Sequence, residues 1–244
     1  VSLTVHGGHL LATSYDGGRV YRYDGENWKD LGALGDNTQT YAFTSYRGLL
    51  HVATWPGAGV FRLDPGDRWT DTGRLGELEV MGMMVHNGRL IGGTLPLAEV
   101  HAYDGDGKWT LWQRLDHTPQ VKYRRAWTMA EHDGQVYCAT LPSGRVFAAS
   151  HGVQTSWDHS LPPGWHHVAA VRTARGLSLH VDGERVSELH VPAAAGYQLD
   201  SDAPLRLGDG MNGPLNGLLA DFRLYRRALG AAEIAALASS PPPP

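Results

Sequence analysis

The chain has 244 residues, a formal net charge of -4, 42% hydrophobic and 19% charged residues, and a single cysteine. This balance suits a globular protein with room for two modest domains. It offers no basic footprint for nucleic acid and no run of about 18 apolar residues to cross a membrane, and a lone Cys138 excludes an internal disulfide.

Thirty-one Gly and 14 Pro indicate a chain that turns back every few residues, an all-β composition. From the start, Gly8, Gly48, Gly88 and Gly134 are each followed six residues later by Ser14, Thr54, Thr94 and Thr140, and after six more by Val20, Val60, Val100 and Val146. Trp28, Trp69 and Trp109 close the first three units, so the period is about 40 residues, that of a four-stranded propeller blade. The second unit reads as strands Thr40–Tyr46, Leu49–Thr54, Gly59–Leu63 and Arg68–Thr72.

Gly7-Gly8, Arg47-Gly48, Asn87-Gly88 and Asp133-Gly134 supply the first hairpin turn of each unit. The later turns Tyr23-Asp24-Gly25, Asp64-Pro65-Gly66 and Tyr103-Asp104-Gly105 carry an Asp expected to cap its own turn, and the Trp that follows is expected to pack between neighbouring blades. His6, His86 and His132 stand two residues before the turn glycine, with Tyr46 in the fourth case, so repeat position accounts for them. No His-x-x-x-His or carboxylate cluster with zinc spacing appears. Cys138, inside the apolar run Val136–Ala139, is expected to be buried and inert. The fold class expected is all-β: four propeller-type four-stranded blades over residues 1–160, few enough for the ring to be incomplete, then part of a sandwich.

The sequence Tyr-Asp-Gly, a short gap, Trp, then Leu31-Gly32-Ala33-Leu34 resembles a kelch-type repeat, and Leu90-Ile91-Gly92-Gly93 supplies the kelch double glycine. Ala12-Thr13, Ala53-Thr54 and Ala139-Thr140 stand at that place in the other units. Ser14 to Tyr21 also resembles the Ser-x-Asp-x-Gly-x-x-aromatic box of sialidase-type propellers, although it spans the connection from second to third strand rather than third to fourth.

In an up-and-down blade, the connections between strands two and three share a face with those leading into the next blade, and loops on such a face commonly carry function. That face presents Tyr15, Asp16, Arg19, Asn37, Gln39, Tyr41, Trp55, Glu77, Glu79 and the segment 117–127. The spacing lengthens once, to 46 residues between Gly88 and Gly134, mostly after Trp109. This inserted loop holds Lys122, Tyr123, Arg124, Arg125 and Trp127, forked donors beside aromatic faces that suit an anionic or sugar ligand; the alternative is a solvated basic loop. The candidate ligand-binding set is Tyr15, Asp16, Tyr41, Trp55, Glu79, Tyr123, Arg124, Arg125 and Trp127. No residue is assigned as catalytic; an enzyme would have to draw on Asp16, Glu79, Tyr123, Arg124 and Arg125.

From Pro162 the pattern changes. Trp165-His166-His167-Val168-Ala169, a strand ending Val181-Asp182-Gly183, Pro204-Leu205-Arg206-Leu207-Gly208, Leu215 to Tyr225, Arg227-Ala228-Leu229 and Ala231-Ala232-Glu233-Ile234 follow in order. This series resembles the C-terminal half of the laminin-G-like, concanavalin A-like jelly-roll family over residues 161–238, with a Pro-rich tail at 239–244. The resemblance implies a half sandwich, a short helix and a glycan or protein ligand. It also makes calcium conceivable at Asp200, Asp202, Asp209 and Asn212, and no other cofactor is expected. A half sandwich has an apolar face to cover, either by strands elsewhere in a longer parent or against the propeller.

The expected function is an extracellular, non-catalytic recognition module with a carbohydrate ligand. The alternatives are a glycan-processing enzyme with a sialidase-like propeller and a protein-binding scaffold. Val1 is not a translation start and no signal-type segment is visible, so the chain is expected to be part of a larger one.

Overall fold

In the computed structural model the described residues are 2–132, 134–150, 154–157, 159–190, 205, 207–210 and 213–240. They group into a first unit of 1–131, 136–149 and 207–215 and a second of 132–135, 150–206 and 216–244.

The first unit is built of antiparallel meanders. One contains β1 (Leu3–His6), β2 (His9–Thr13), β3 (Arg19–Tyr23) and β4 (Trp28–Ala33); the next contains β5 (Gln39–Tyr46), β6 (Leu49–Trp55), β7 (Gly59–Asp64) and β8 (Arg68–Arg74). The third contains β9 (Glu79–His86), β10 (Arg89–Leu95), β11 (Glu99–Gly105) and β12 (Lys108–Arg114), and the fourth β13 (Arg125–His132), β14 (Gln135–Leu141) and β15 (Val146–Ala149). Sheet order follows chain order throughout. The fourth sheet has three strands among the described residues.

A repeated backbone seam joins successive sheets. Gly18, Ala58 and Ala98, spaced 40 apart, accept the N–H of Leu34, Leu75 and Leu115 at 3.1, 3.0 and 2.9 Å. They donate their own N–H to Thr38, Leu78 and Arg124 at 2.8, 3.0 and 3.1 Å. All three have positive φ, of 57°, 46° and 56°. The return from the lower to the upper seam residue advances four positions from Leu34 to Thr38, three from Leu75 to Leu78 and nine from Leu115 to Arg124. The additional residues therefore sit wholly in one rim connection, and the sheets on either side keep their register.

Side chains fill the spaces between sheets. Leu11, Val20 and Leu31 pack with Leu34, Leu50, Val52 and Phe61; Ala53 and Val60 pack with Leu75 and Val80; Ala98 and Val100 pack with Ala126 and Cys138. Val20, Val60 and Val100 are thus the faces that meet the next sheet, and burying each contributes roughly 1.5–3 kcal/mol, whereas Val146, at the same place in the fourth unit, is 67% exposed. A Cβ on Gly93 would lie 2.5 Å from the Ala126 carbonyl oxygen, so the double glycine lets the fourth sheet approach the third. Trp69 Nε1 donates to the Leu31 carbonyl and Trp109 Nε1 to the Thr72 carbonyl, both at 2.9 Å. Trp28, in the first sheet, is instead 48% exposed and leans on Tyr23.

The turn aspartates behave differently from one another. Asp24 caps its turn as expected, accepting the N–H of Glu26 at 2.9 Å and of Asn27 at 2.8 Å. Asp64 binds Arg62 and the Thr70 hydroxyl, and Asp104 binds Arg89 and the Thr110 hydroxyl. The residue six positions on differs in step: a threonine whose hydroxyl donates in the second and third units, Asp30 in the first. The repeat histidines connect neighbouring sheets, His6 Nδ1 to Ser45 Oγ at 3.0 Å and His86 Nδ1 to Glu131 at 2.7 Å. His132 is described alongside them, whereas Asp133 lies outside the described residues.

The second unit contains the antiparallel sheet β16 (Val168–Thr173), β17 (Gly176–Val181) and β18 (Glu184–His190) and, near its end and among the described residues, one helix. Asp182 and Gly183 both take positive φ, 51° and 85°, as a two-residue hairpin turn requires. Asp182 accepts the His167 N–H at 2.9 Å and pairs with His166 Nδ1 at 2.7 Å, while His166 Nε2 donates to the Pro162 carbonyl at 2.9 Å. Two segments of the jelly-roll signature thus meet at one turn. The helix α1 (Ala231–Ala238) buries Ile234. At its start, Glu233 accepts the Gly230 N–H and both guanidinium arms of Arg227, contacts that hold its carboxyl at about 2.

The motif segment Leu215–Tyr225 forms no strand among the described residues; before it, the two-residue β19 (Asp209–Gly210) and β20 (Gly213–Pro214) pair with each other. None of the described strands pairs with 215–225, and without a ladder partner an extended segment gains nothing for its ordering. Leu218, Phe222 and Leu224 are accordingly 79%, 57% and 80% exposed. Pro204, Arg206 and the calcium candidates Asp200, Asp202 and Asn212 lie outside the described residues, and only the backbone of Asp209 is described.

Candidate functional site

Gln39, Glu79 and Arg125 each open the first strand of their sheet, β5, β9 and β13, at spacings of 40 and 46. The seam that precedes each of them places the three side chains on one rim. Tyr41, two residues beyond Gln39 and so on the same side of its strand, donates its hydroxyl to Gln39 Oε1 and stands beside the Glu79 carboxyl. The Tyr15 ring meets Tyr41 edge-on, with centroids 6.1 Å apart.

Electrostatics differ along this strip. Burial pushes the Glu79 carboxyl up to about 7, against the opposing pull of the Tyr41 hydroxyl and the Arg125 charge. The Tyr41 phenol is held well above its ordinary range, by burial first and by Glu79 second, so Tyr41 is a hydroxyl donor and not a phenolate. On the far side of Glu79 the Arg125 guanidinium stacks between two rings, 5.5 Å from the Trp127 centroid and 5.7 Å from that of Tyr123. Lys122 Nζ lies 5.0 Å over Tyr123. Tyr15, Trp127 and Tyr123 remain 55%, 44% and 39% exposed.

Of the nine candidate residues, the structure draws Tyr15, Tyr41, Glu79, Tyr123, Arg125 and Trp127 into this one strip. The other three are used differently. Arg124 points its guanidinium back to the Thr118 carbonyl at 2.9 Å and donates its N–H to the Pro96 carbonyl at 2.9 Å, because an insertion must satisfy its own carbonyls. Trp55 is half-buried before a cis peptide to Pro56, with its carbonyl accepting the Thr38 N–H. Asp16 is exposed in the turn after β2. Gln39 belongs to the strip and was legible from its position 40 residues before Glu79.

A second convergence was not legible. Glu77, Glu99 and His101 each bring one potential ligand atom within 4.8 Å of the others, although their sequence spacing matches no zinc pattern. Pairing of β9 with β10 and of β10 with β11 sets the connection before β9 beside Leu97 and the start of β11, and so creates the cluster. Zinc spacing, sought along the chain, gave no means of finding it.

No curated protein matches the chain in sequence. Among solved structures, it is similar to a streptogramin B lyase at 10% identity, covering 78% of this chain and 68% of that one, with a TM-score of 0.44. Similar figures hold for virginiamycin B lyase from Staphylococcus aureus, at 9% identity, 78% and 66% coverage and a TM-score of 0.44. An S-layer domain-containing protein from Clostridium thermocellum is 24% identical, with 70% and 92% coverage and a TM-score of 0.24. The chain thus spans about two thirds of the two lyases, and these scores are too low to transfer an activity. The model of the concanavalin A-like lectin/glucanases superfamily matches residues 98–235. That is more than half of the 244 residues and begins upstream of the jelly-roll motifs, at the start of β11. The chain therefore belongs to the concanavalin A-like lectin/glucanases superfamily.

Proposed function

We propose that this protein is an extracellular recognition module that binds a carbohydrate along the strip from Tyr15 to Trp127, without catalysing its turnover. Superfamily membership supports a carbohydrate-binding type of module. The observation that carries the reading is the Arg125 guanidinium held between the exposed rings of Tyr123 and Trp127, beside the Tyr41–Glu79 pair. Flat apolar faces next to a few fixed polar groups suit a sugar ring, which has both C–H faces and hydroxyls. A guanidinium adds forked donors for hydroxyl or carboxylate oxygens. Within this reading the Tyr-Asp-Gly…Trp units are kelch-like blades that serve as a rigid frame for the strip.

The direct test is a glycan array followed by calorimetry on the best hit. Trp127→Ala and Arg125→Ala are expected to weaken binding at least about tenfold, a loss of about 1.4 kcal/mol each, and Asp16→Ala to leave it unchanged. Binding unaffected by Trp127→Ala and Arg125→Ala would move the site elsewhere.

One observation favours a second reading, a glycan-processing enzyme: Glu79 is a buried carboxyl near 7, the range in which an acid can both give and take a proton at neutral pH. Release of sugar from a glycan panel, abolished in Glu79→Gln, would establish this alternative.

A further inference from the structure

Glu77 lies in the connection before β9, and Glu99 and His101 lie two residues apart on β11. His101 Nε2 stands 3.2 Å from Glu99 Oε2, and His101 is only 7% exposed. Glu77 Oε2 is oriented by the Leu97 N–H at 2.8 Å, while its Oε1 is buried and makes no hydrogen bond. Two carboxylates and an imidazole therefore face a common point, with one acceptor oxygen left without a donor.

The repeat provides an internal comparison. Forty residues earlier the same three positions hold Asn37, Gly59 and Phe61, and they too cluster: a Cβ on Gly59 would lie 3.2 Å from the Phe61 ring and 3.9 Å from Asn37 Nδ2. Asn37 there satisfies itself by donating to the Leu34 carbonyl at 2.6 Å. Forty-six residues later the positions hold Tyr123, Arg145 and Phe147. The architecture thus closes this corner with an amide, no side chain and a phenyl ring. Partial burial of two acids beside a histidine is costly without a compensating cation, and only in the third unit do all three positions carry metal-ligating groups.

We propose that Glu77, Glu99 and His101 form a binding site for a divalent transition-metal cation, with zinc the best match. Zinc accepts mixed imidazole and carboxylate ligands at about 2.0–2.2 Å, so ligand atoms grouped this closely need little movement to enclose it. Three protein ligands leave a fourth position open to solvent through the half-buried glutamates. Calcium, which takes six to eight oxygens, fits this donor set poorly.

The test uses the full chain, freed of metal by a chelator and dialysed against zinc chloride alone, with bound zinc counted by mass spectrometry and thermal melting followed in parallel. The expected result is one tightly bound equivalent and a zinc-dependent rise in Tm. Both are lost, with affinity falling about tenfold or more, in His101→Phe and Glu77→Asn, which import the residues of the second unit, and in Glu99→Gln. Trp127→Ala, which tests the glycan site, should keep its zinc. Melting without zinc checks that each variant folds; should His101→Phe fail there, the two glutamate variants decide. Absence of a stoichiometric site in the parent chain, or the same site in the folded variants, as surface histidines would produce, overturns the proposal.

Discussion

At the scale of single residues, the repeat dictates position and the neighbours dictate role. Trp69 and Trp109 spend their indole N–H on the preceding sheet whereas Trp28 does not. Trp69→Phe should therefore cost about 1 kcal/mol in urea unfolding, and Trp28→Phe less than about 0.5 kcal/mol. His51 shows a second consequence of burial. Its Nδ1 donates to the Leu49 carbonyl at 3.1 Å, and burial pulls its pKa down to about 4, with that carbonyl opposing. Because the folded value lies below the ordinary 6.5, the unfolded chain takes up a proton first as pH falls. The stability His51 contributes is complete above about pH 6.5 and is lost between there and about pH 4, by up to about 3 kcal/mol. Urea unfolding at the two ends of that window should show this slope, reduced in His51→Gln. Cys138, 6% exposed and with its thiol raised to about 11 by burial, should react with a thiol reagent only in denaturant.

At the scale of elements, hydrogen-bonded seams and turns carry the argument. Gly18 differs from its counterparts Ala58 and Ala98 because a Cβ there would lie 2.1 Å from the Asn37 carbonyl oxygen. Gly18→Ala should destabilise the protein by about 1–3 kcal/mol, while Ala58→Gly should cost less, a contrast thermal melting can read. In the second unit, the Asp182 turn raises the His166 pKa, chiefly through the Asp182 carboxylate and then through the Pro162 carbonyl. Asp182→Asn should move the His166 titration, followed by NMR, back down toward its ordinary value. Strands of the second sheet were legible to within two residues, since alternating apolar positions and glycine turns mark both ends. The conformation of 215–225 was not, because a motif order does not say which strand, if any, pairs with a segment.

For the whole molecule, the superfamily match takes in the later meanders as well as the jelly-roll motifs. No helix among the described residues is long and apolar enough to cross a membrane. Leu218, Phe222 and Leu224 stand 79%, 57% and 80% exposed within seven residues of one another. Contiguous apolar exposure favours association, so light scattering should show concentration-dependent self-association of this chain, reduced in Leu218→Glu/Leu224→Lys.

The sequence by itself determined the repeat, the turns, the place of the insertion and the order of the jelly-roll motifs, because each is a local pattern of backbone conformation or side-chain period. Only the tertiary structure decided which rim residues share a surface: Arg125 lies between two rings while Arg124, its neighbour in sequence, braces the loop. It also decided that Glu77 meets Glu99 and His101 across more than twenty positions. Such neighbours are set by how strands pair and where their connections run beside them, and that proximity in space has no signature along the chain.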